Sequence, residues 1–205
     1  MNINIFNIHE KFNYFVAYCY TAVARSQFGN FGSRSILYYP SRIYNSKNIY
    51  IGDDVLVQSY VWLNALTSWL DIRYKGKIFI HDNAIIMNNV QISSAIRIEI
   101  GKYVGISRNC LIVDHHHDYT HVNKPIMRSP LTEPRPVIIE DESFVGINCV
   151  IAPGVTIGRH SFIAANSIVT TTIPPYSFAA GAPAKVLRTY NHAAGIWEQC
   201  RRGDS

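Results

Sequence analysis

From Ile112 to His121 the chain reads I-V-D-H-H-H-D-Y-T-H, which puts four of its eight histidines and two aspartates inside ten residues. Imidazoles beside carboxylates can ligate a metal, carry a proton or simply be solvated. A hydrolytic zinc pattern of the H-x-H-x-D-H kind does not fit, because Asp118 follows His117 directly and the next histidine lies three residues further on. Proton transfer does fit: a neutral imidazole held at one ring nitrogen by a carboxylate or carbonyl offers the other as a base. Side chains alternate along an extended segment, so His115 and His117 share a side while His116 faces away. Asp114 and Asp118 could each orient a histidine, and spacing does not choose between them. The four cysteines, Cys19, Cys110, Cys149 and Cys200, lie far apart and form no C-x-x-C pair.

The residues on either side assign the cluster its place. From Ile139 the chain reads IEDESF, VGINCV, IAPGVT, IGRHSF, IAANSI and VTTTIP, six hexapeptides in unbroken register, each opened by Ile or Val. The same frame runs from Ile51 (IGDDVL, VQSYVW), from Ile80 (IHDNAI, IMNNVQ) and from Ile100 (IGKYVG, ISRNCL, IVDHHH). A period of six suits neither an amphipathic helix nor a plain alternating strand. It suits a short strand ending in a turn, three strands to a coil, with each opening residue pointing into one shared interior. The fold class expected is therefore an all-β solenoid. Gly52, Gly101, Gly146, Gly158, Asn88, Asn148 and Asn166 fall at or near its corners, and Cys110 and Cys149 fall in apolar slots as buried thiols.

Breaks in the frame mark loops that must project from the coil. One is modest, at 69–77; the other spans 114–136, is polar and proline-rich, and begins with the histidine cluster. In the last hexapeptide before that loop His117 is the sixth residue. Residues 1–44 read as a lead-in with a short apolar helix over 10–28, residues 45–178 as the repeat domain, and residues 179–205 as a turn and a tail ending in a short helix near Arg202. The helix caps the first coil, with weak association to a membrane surface as the alternative.

At 205 residues and net charge +5 the chain is long enough for a substantial core, and it shows no basic run interleaved with aromatics that would indicate nucleic acid. The stretch from Phe12 to Ala24 is too short and too polar to span a bilayer. The N-terminus lacks the parts of a signal peptide, and cysteines read as free thiols rather than bridges lead to the expectation of a cytoplasmic setting.

The hexapeptides, with I157-G-R-H-S-F-I-A-A-N-S-I-V-T and A179-A-G-A-P-A-K-V-L-R188, resemble the left-handed parallel β-helix acyltransferases, most closely their galactoside, maltose and polysaccharide O-acetyltransferase branch. The resemblance covers roughly 45–190. It implies the left-handed sense, since ordinary parallel crossovers turn the other way. It also implies a homotrimer with sites between subunits and acetyl-CoA as cosubstrate. The acceptor would be a carbohydrate hydroxyl on a surface polysaccharide (capsule, lipopolysaccharide or exopolysaccharide) or its sugar precursor. The family's general base sits where a long loop leaves a coil, which points first to His117 and then to His115, with Asp114 or Asp118 to fix the tautomer. Ala164, Ala165, Thr170 and Ile147 resemble the family's pantetheine positions, and Lys185 and Arg188 are placed for the phosphates of CoA. Where many members have V-W-I-G, this chain has Phe144-Val145-Gly146, which keeps an aromatic face without the indole donor. Trp62, Trp69 and Tyr119 suit stacking on a sugar, and Asn88 and Asn89 lie where acceptor contacts can occur. Three rivals stand beside this reading. An antibiotic acetyltransferase would use the same chemistry. A γ-class carbonic anhydrase-like enzyme would bind zinc through His81, His117 and His121 of adjacent subunits, and a non-catalytic β-helix module would use none of these residues. The favoured reading assigns no residue to a metal.

Overall fold

The computed structural model describes residues 5–200. The helix Ile5–Ala24 (α1) and a short 3-10 turn, Arg25–Gln27, lead into the coil. The helix lies on the first coil through Ala17 and Thr21, whose hydroxyl accepts the amide of Leu37 at 2.9 Å. Its other side exposes Phe12, Phe15, Tyr18 and Val23. No helix among the described residues is long and apolar enough to cross a membrane.

Beyond the helix each turn of the chain lays one short strand on each of three faces. The first face holds Asn30–Phe31, Ile49–Ile51, Ile78–Ile80, Ile98–Ile100, Val137–Ile139 and Thr156–Ile157. The second runs from Ile36–Leu37 through Leu56–Val57, Ile85–Ile86, Gly105–Ile106, Phe144–Val145 and Phe162–Ile163 to Ser177–Gly181. The third holds Arg42–Tyr44, Trp62–Ala65, Gln91–Ser94, Leu111–Val113, Val150–Ile151 and Ile168–Val169. Every strand pairs in parallel with its counterpart one turn on, as Ile51 with Ile80 and Ile92 with Ile112. The hexapeptide frame therefore produces the expected solenoid, and its opening residues stack into one core: Ile51, Ile80, Ile100, Ile139 and Ile157 on one face, Ile92, Ile112 and Ile151 on another, all buried. Each such side chain contributes about 1.5–3 kcal/mol relative to exposure.

The corners divide their labour differently from expectation. Left-handed backbone falls on asparagine more often than on any other residue type, as at Asn83, Asn89, Asn109, Asn148 and Asn166, with Arg, Asp, Tyr, Leu, Glu and His at others. Gly101 serves close approach instead: a Cβ there would come within 2.7 Å of the amide nitrogen of Asp141 in the next turn. Asn89, Asn109, Asn148 and Asn166 form a one-way amide ladder along one corner, each Nδ2 donating to the next Oδ1 at 3.0–3.1 Å.

Two expectations are corrected. Coil pairing begins at Asn30, so the stretch read as lead-in up to 44 already carries strands, whose short pieces lack the full hexapeptide signature. The tail is not helical over its described part. Ala184–Asn191 and Ile196–Gln199 add antiparallel strands to the second face, because Gly181 and Pro183 reverse the chain onto its own sheet edge. Arg202 lies outside the described residues.

Candidate active site

The strand Leu111–Val113 ends where the chain leaves the coil, and Asp114 closes it. Its side chain is 0% exposed and accepts five hydrogen bonds. Ser94 Oγ donates at 2.8 Å, the backbone amides of Ala95, Ile96 and Arg97 donate at 2.7–2.9 Å, and His115 Nδ1 lies at 2.8 Å. Burial alone would raise the carboxyl pKa, but His115 and the donors of the turn after Ser94 hold it below the ordinary aspartate value. A buried, ionised carboxylate on Nδ1 requires the hydrogen there, which leaves Nε2 of His115 as the unpaired acceptor. The His115 side chain is 13% exposed, so it is sheltered yet reachable.

His117 has a different environment. Its backbone bridges Leu131, and its ring packs edge-on against Trp69 with centroids 4.9 Å apart. Its Nδ1 is buried and has no partner. Asp118 is turned away, engaged with Thr120 and with His121 Nδ1 at 2.9 Å; the Thr120 hydrogen bonds lead in lowering its pKa. The sequence points first to His117, whereas the buried carboxylate of Asp114 engages the ring of His115. His116 faces outward; burial, then the charges of His115 and Arg135, lower its pKa. Within one chain His81, His117 and His121 do not converge: Nε2 of His81 meets Glu99 at 2.8 Å, His121 meets Asp118, and among the described residues no group of three metal-ligating side chains occurs.

The two breaks in the frame meet each other. The insert after the second coil forms a small antiparallel pair, Ser68–Trp69 with Ile72–Arg73. Trp69 Nε1 donates to the carbonyl of Ser129 at 3.1 Å, and the Tyr74 hydroxyl accepts the Leu131 amide at 3.2 Å. Below them the outward side of the third face forms an open cleft of about 840 Å³ lined by Tyr44, Tyr60, Trp62, Asn64, Asn89 and Gln91. Of these, Trp62 and Asn89 stand out in the sequence and the rest do not. Stepping one residue either side of the inward Leu63 would have brought out Asn64 beside Trp62. Tyr119 is 72% exposed and lines none of this.

Toward the other end Arg108, Ile147 and Ala165 stack along one corner, one turn apart, beside the asparagine ladder. All three are exposed, and their backbone N–H groups have no acceptor among the described residues. Thr170 follows the strand Ile168–Val169 and precedes Thr171 and Thr172, which share a cleft of about 560 Å³ with Lys185. Arg188 does not join Lys185. A register shift between Phe178 and Ala179 sets Arg188 opposite Phe178, in a separate cleft with Phe162 and Trp197. Cys110 and Cys149 are buried free thiols whose sulfurs each contact a backbone carbonyl one turn on.

A three-faced parallel coil with a carboxylate-oriented imidazole at the root of its longest loop defines a class, and comparison with known proteins agrees. The model of the bacterial transferase hexapeptide family (six repeats) matches residues 136–171. Over 171 residues the chain is 30% identical to the putative lipopolysaccharide biosynthesis O-acetyl transferase WbbJ of Escherichia coli, covering 80% of this chain and 83% of that protein. It is 35% identical over 118 residues to the galactoside O-acetyltransferase of the same organism, covering 58% of this chain and 57% of the relative. Among solved structures, the hexapeptide-repeat acetyltransferase VCA0836 of Vibrio cholerae, complexed with acetyl coenzyme A, shares 28% identity at a TM-score of 0.53, covering 83% and 75% of the two chains. AntD, an N-acyltransferase from Bacillus cereus, has a TM-score of 0.73 at 18% identity over 87% and 92%, a likeness of fold alone. The chain belongs to the hexapeptide-repeat transferase family and is an acyltransferase.

Proposed function

We propose that this protein transfers an acetyl group from acetyl-CoA to a carbohydrate hydroxyl, on a surface polysaccharide or its sugar precursor, with His115 as general base and Asp114 as its orienting partner. The observation that carries the reading is the Asp114–His115 pair: a buried carboxylate holding Nδ1 and leaving Nε2 free. The names of the relatives support the donor, the hydroxyl acceptor and the polysaccharide class. The residues fit the donor. Small, exposed Ala165 and the open amides of Ile147 and Ala165 suit a pantetheine arm along the corner, with Thr170 and Lys185 further along and Arg188 on the neighbouring surface. The left-handed sense of the coil and a homotrimer belong to the same reading.

In the reaction, the acceptor oxygen attacks the thioester carbonyl while Nε2 of His115 takes its proton. Asp114 stabilises the imidazolium without becoming protonated, since five donors already favour its charge. The tetrahedral intermediate collapses with cleavage of the C–S bond, and the imidazolium returns the proton to the leaving thiolate, giving CoA-SH. On the acceptor side the aromatic rings of Tyr44, Tyr60 and Trp62 and the amides of Asn64, Asn89 and Gln91 suit a polyhydroxyl ring.

The test is thiol release from acetyl-CoA across galactosides, free sugars and amino sugars, with product masses read by spectrometry. His115→Ala should lower kcat by about 10²–10⁴-fold, the usual worth of a general base. Turnover near the wild-type rate in that variant removes His115 from the role, and acetylation confined to amines removes the hydroxyl acceptor.

A further inference from the structure

We infer that His117 is a second substrate-facing imidazole, held in the tautomer opposite to that of His115, and that it donates a hydrogen bond through Nε2–H to an oxygen of the acceptor other than the one that reacts. This rests on the transferase reading above and assigns a role to a residue which that mechanism leaves idle.

Among the described residues, Nδ1 of His117 is the one buried side-chain nitrogen or oxygen without a hydrogen-bond partner. The carboxylates that might have served it are engaged elsewhere: Asp114 holds His115, and Asp118 holds Thr120 and His121. A hydrogen on Nδ1 would be buried with no acceptor among the described residues, and buried donors are left unmet more rarely than buried acceptors. The neutral ring therefore carries its hydrogen on Nε2, which has no partner among the described residues and is not among the buried atoms. His115 shows the converse: Asp114 fixes its hydrogen on Nδ1 and bares the Nε2 lone pair. Two residues apart and on the same side of the chain, one imidazole accepts a proton while the other donates a hydrogen bond.

The surroundings fix the ring. Trp69 lies edge-on against it, the Trp69 indole is tied to Ser129, and the His117 backbone is bridged to Leu131, whose amide is tied to Tyr74. The same contacts locate it. Trp69 sits on the insert after the second coil, the end of the molecule that holds the aromatic and amide cleft, while Ile147 and Ala165 lie in the fifth and sixth coils. Through Trp69, His117 is tied to the end of the coil that carries that cleft.

The test has two arms. Long-range ¹H–¹⁵N spectra of the labelled protein near neutral pH, with ring signals assigned through His115→Ala and His117→Phe, report each tautomer directly. The expected result is Nδ1–H for His115 and Nε2–H for His117, and a hydrogen on Nδ1 of His117 overturns the proposal by itself. The kinetic arm uses acetyl-CoA with p-nitrophenyl-β-galactoside. His117→Phe keeps a ring against Trp69 but loses the donor, and should raise KM for the galactoside about tenfold with KM for acetyl-CoA unchanged. His117→Gln restores an N–H and should stay within about threefold of wild type. An equal rise in both variants, or no rise in His117→Phe, overturns the donor role. A wild-type protein that releases no thiol with this probe counts against the transferase reading, and the spectra then decide the tautomer alone.

Discussion

The coil from Val137 onward and the coil before Val113 are built from the same hexapeptide and differ in what interrupts it. In the later part, corresponding corner residues lie 18 residues apart, three uninterrupted hexapeptides, as from Asn148 to Asn166. In the earlier part the step lengthens to 29 residues between Asp53 and Asp82, and to 39 between Asn109 and Asn148, where the longer loop is inserted. The uninterrupted part presents a straight edge where Ile147 and Ala165 are exposed and their amides are open. The interrupted part spends its extra residues on two outward elements that lock together through Trp69, Tyr74, Ser129 and Leu131. A regular edge suits a donor of fixed shape, and an irregular cleft suits a particular acceptor. The family model matches 136–171, within the regular part. Asp114 and His115 stand at the boundary between the two.

The largest effect should therefore come from that boundary. Asp114→Asn replaces a carboxylate that accepts from five donors with an amide whose nitrogen must face some of them. His115 loses its orienting charge, and the turn Ser94–Arg97 loses its anchor. We expect kcat to fall about 10²-fold or more, and stability to fall about 3 kcal/mol or more as buried donors go unmet. The pH dependence has a definite sign. The folded-state pKa of Asp114 lies below its unfolded value, so its stabilisation is fully present above the unfolded value of about 3.9 and is lost as pH falls through the folded one. Acid denaturation followed by circular dichroism should show the variant losing less stability than wild type below about pH 4. Equal acid limbs in the two proteins would mean that Asp114 does not tie the halves together.

Much of this was legible beforehand, for a physical reason. The hexapeptide writes core and corner into every sixth residue, so Ile51, Ile80, Ile100, Ile112, Ile139 and Ile157 could be placed inside without coordinates. For the base, the sequence offered two candidates two residues apart, His115 and His117. The alternation expected to put His115 and His117 on one side is local, whereas the donors that hold Asp114 against His115 are Ser94, Ala95, Ile96 and Arg97. These belong to the preceding coil and meet Asp114 only because Ile92 pairs with Ile112. The strands at 30–44 and 184–199 escaped because they are short or antiparallel and do not repeat the frame. Lys185 and Arg188, both assigned to the phosphates of CoA, lie in separate clefts because residues three apart on a strand face opposite ways.

An intermediate effect should come from the regular edge. Ala165 is exposed at a corner and contributes no side chain to the core. Ala165→Trp should leave thermal stability unchanged while filling the path along Ile147 and Thr170. The expectation is a rise of about 30-fold in KM for acetyl-CoA, read by initial rates, with KM for the acceptor within about twofold. A comparable rise for both substrates would merge the two regions into one pocket and end the distinction between a donor edge and an acceptor cleft.

The smallest effect, and the sharpest for the comparison, should come from Trp69. Its ring supports His117 and its indole N–H is spent on Ser129, so it joins both outward elements without touching the core. Trp69→Ala should raise KM for the acceptor about tenfold and leave KM for acetyl-CoA unchanged, because the insert and the loop shift while the coil and its corner edge do not. Trp69→Phe keeps a ring but drops the hydrogen bond, and should fall between wild type and Trp69→Ala. The contacts of this side chain with His117 and Ser129 lie outside the regular part, so a change in acetyl-CoA binding equal to the change in acceptor binding would mean that the two halves do not divide the substrates between them.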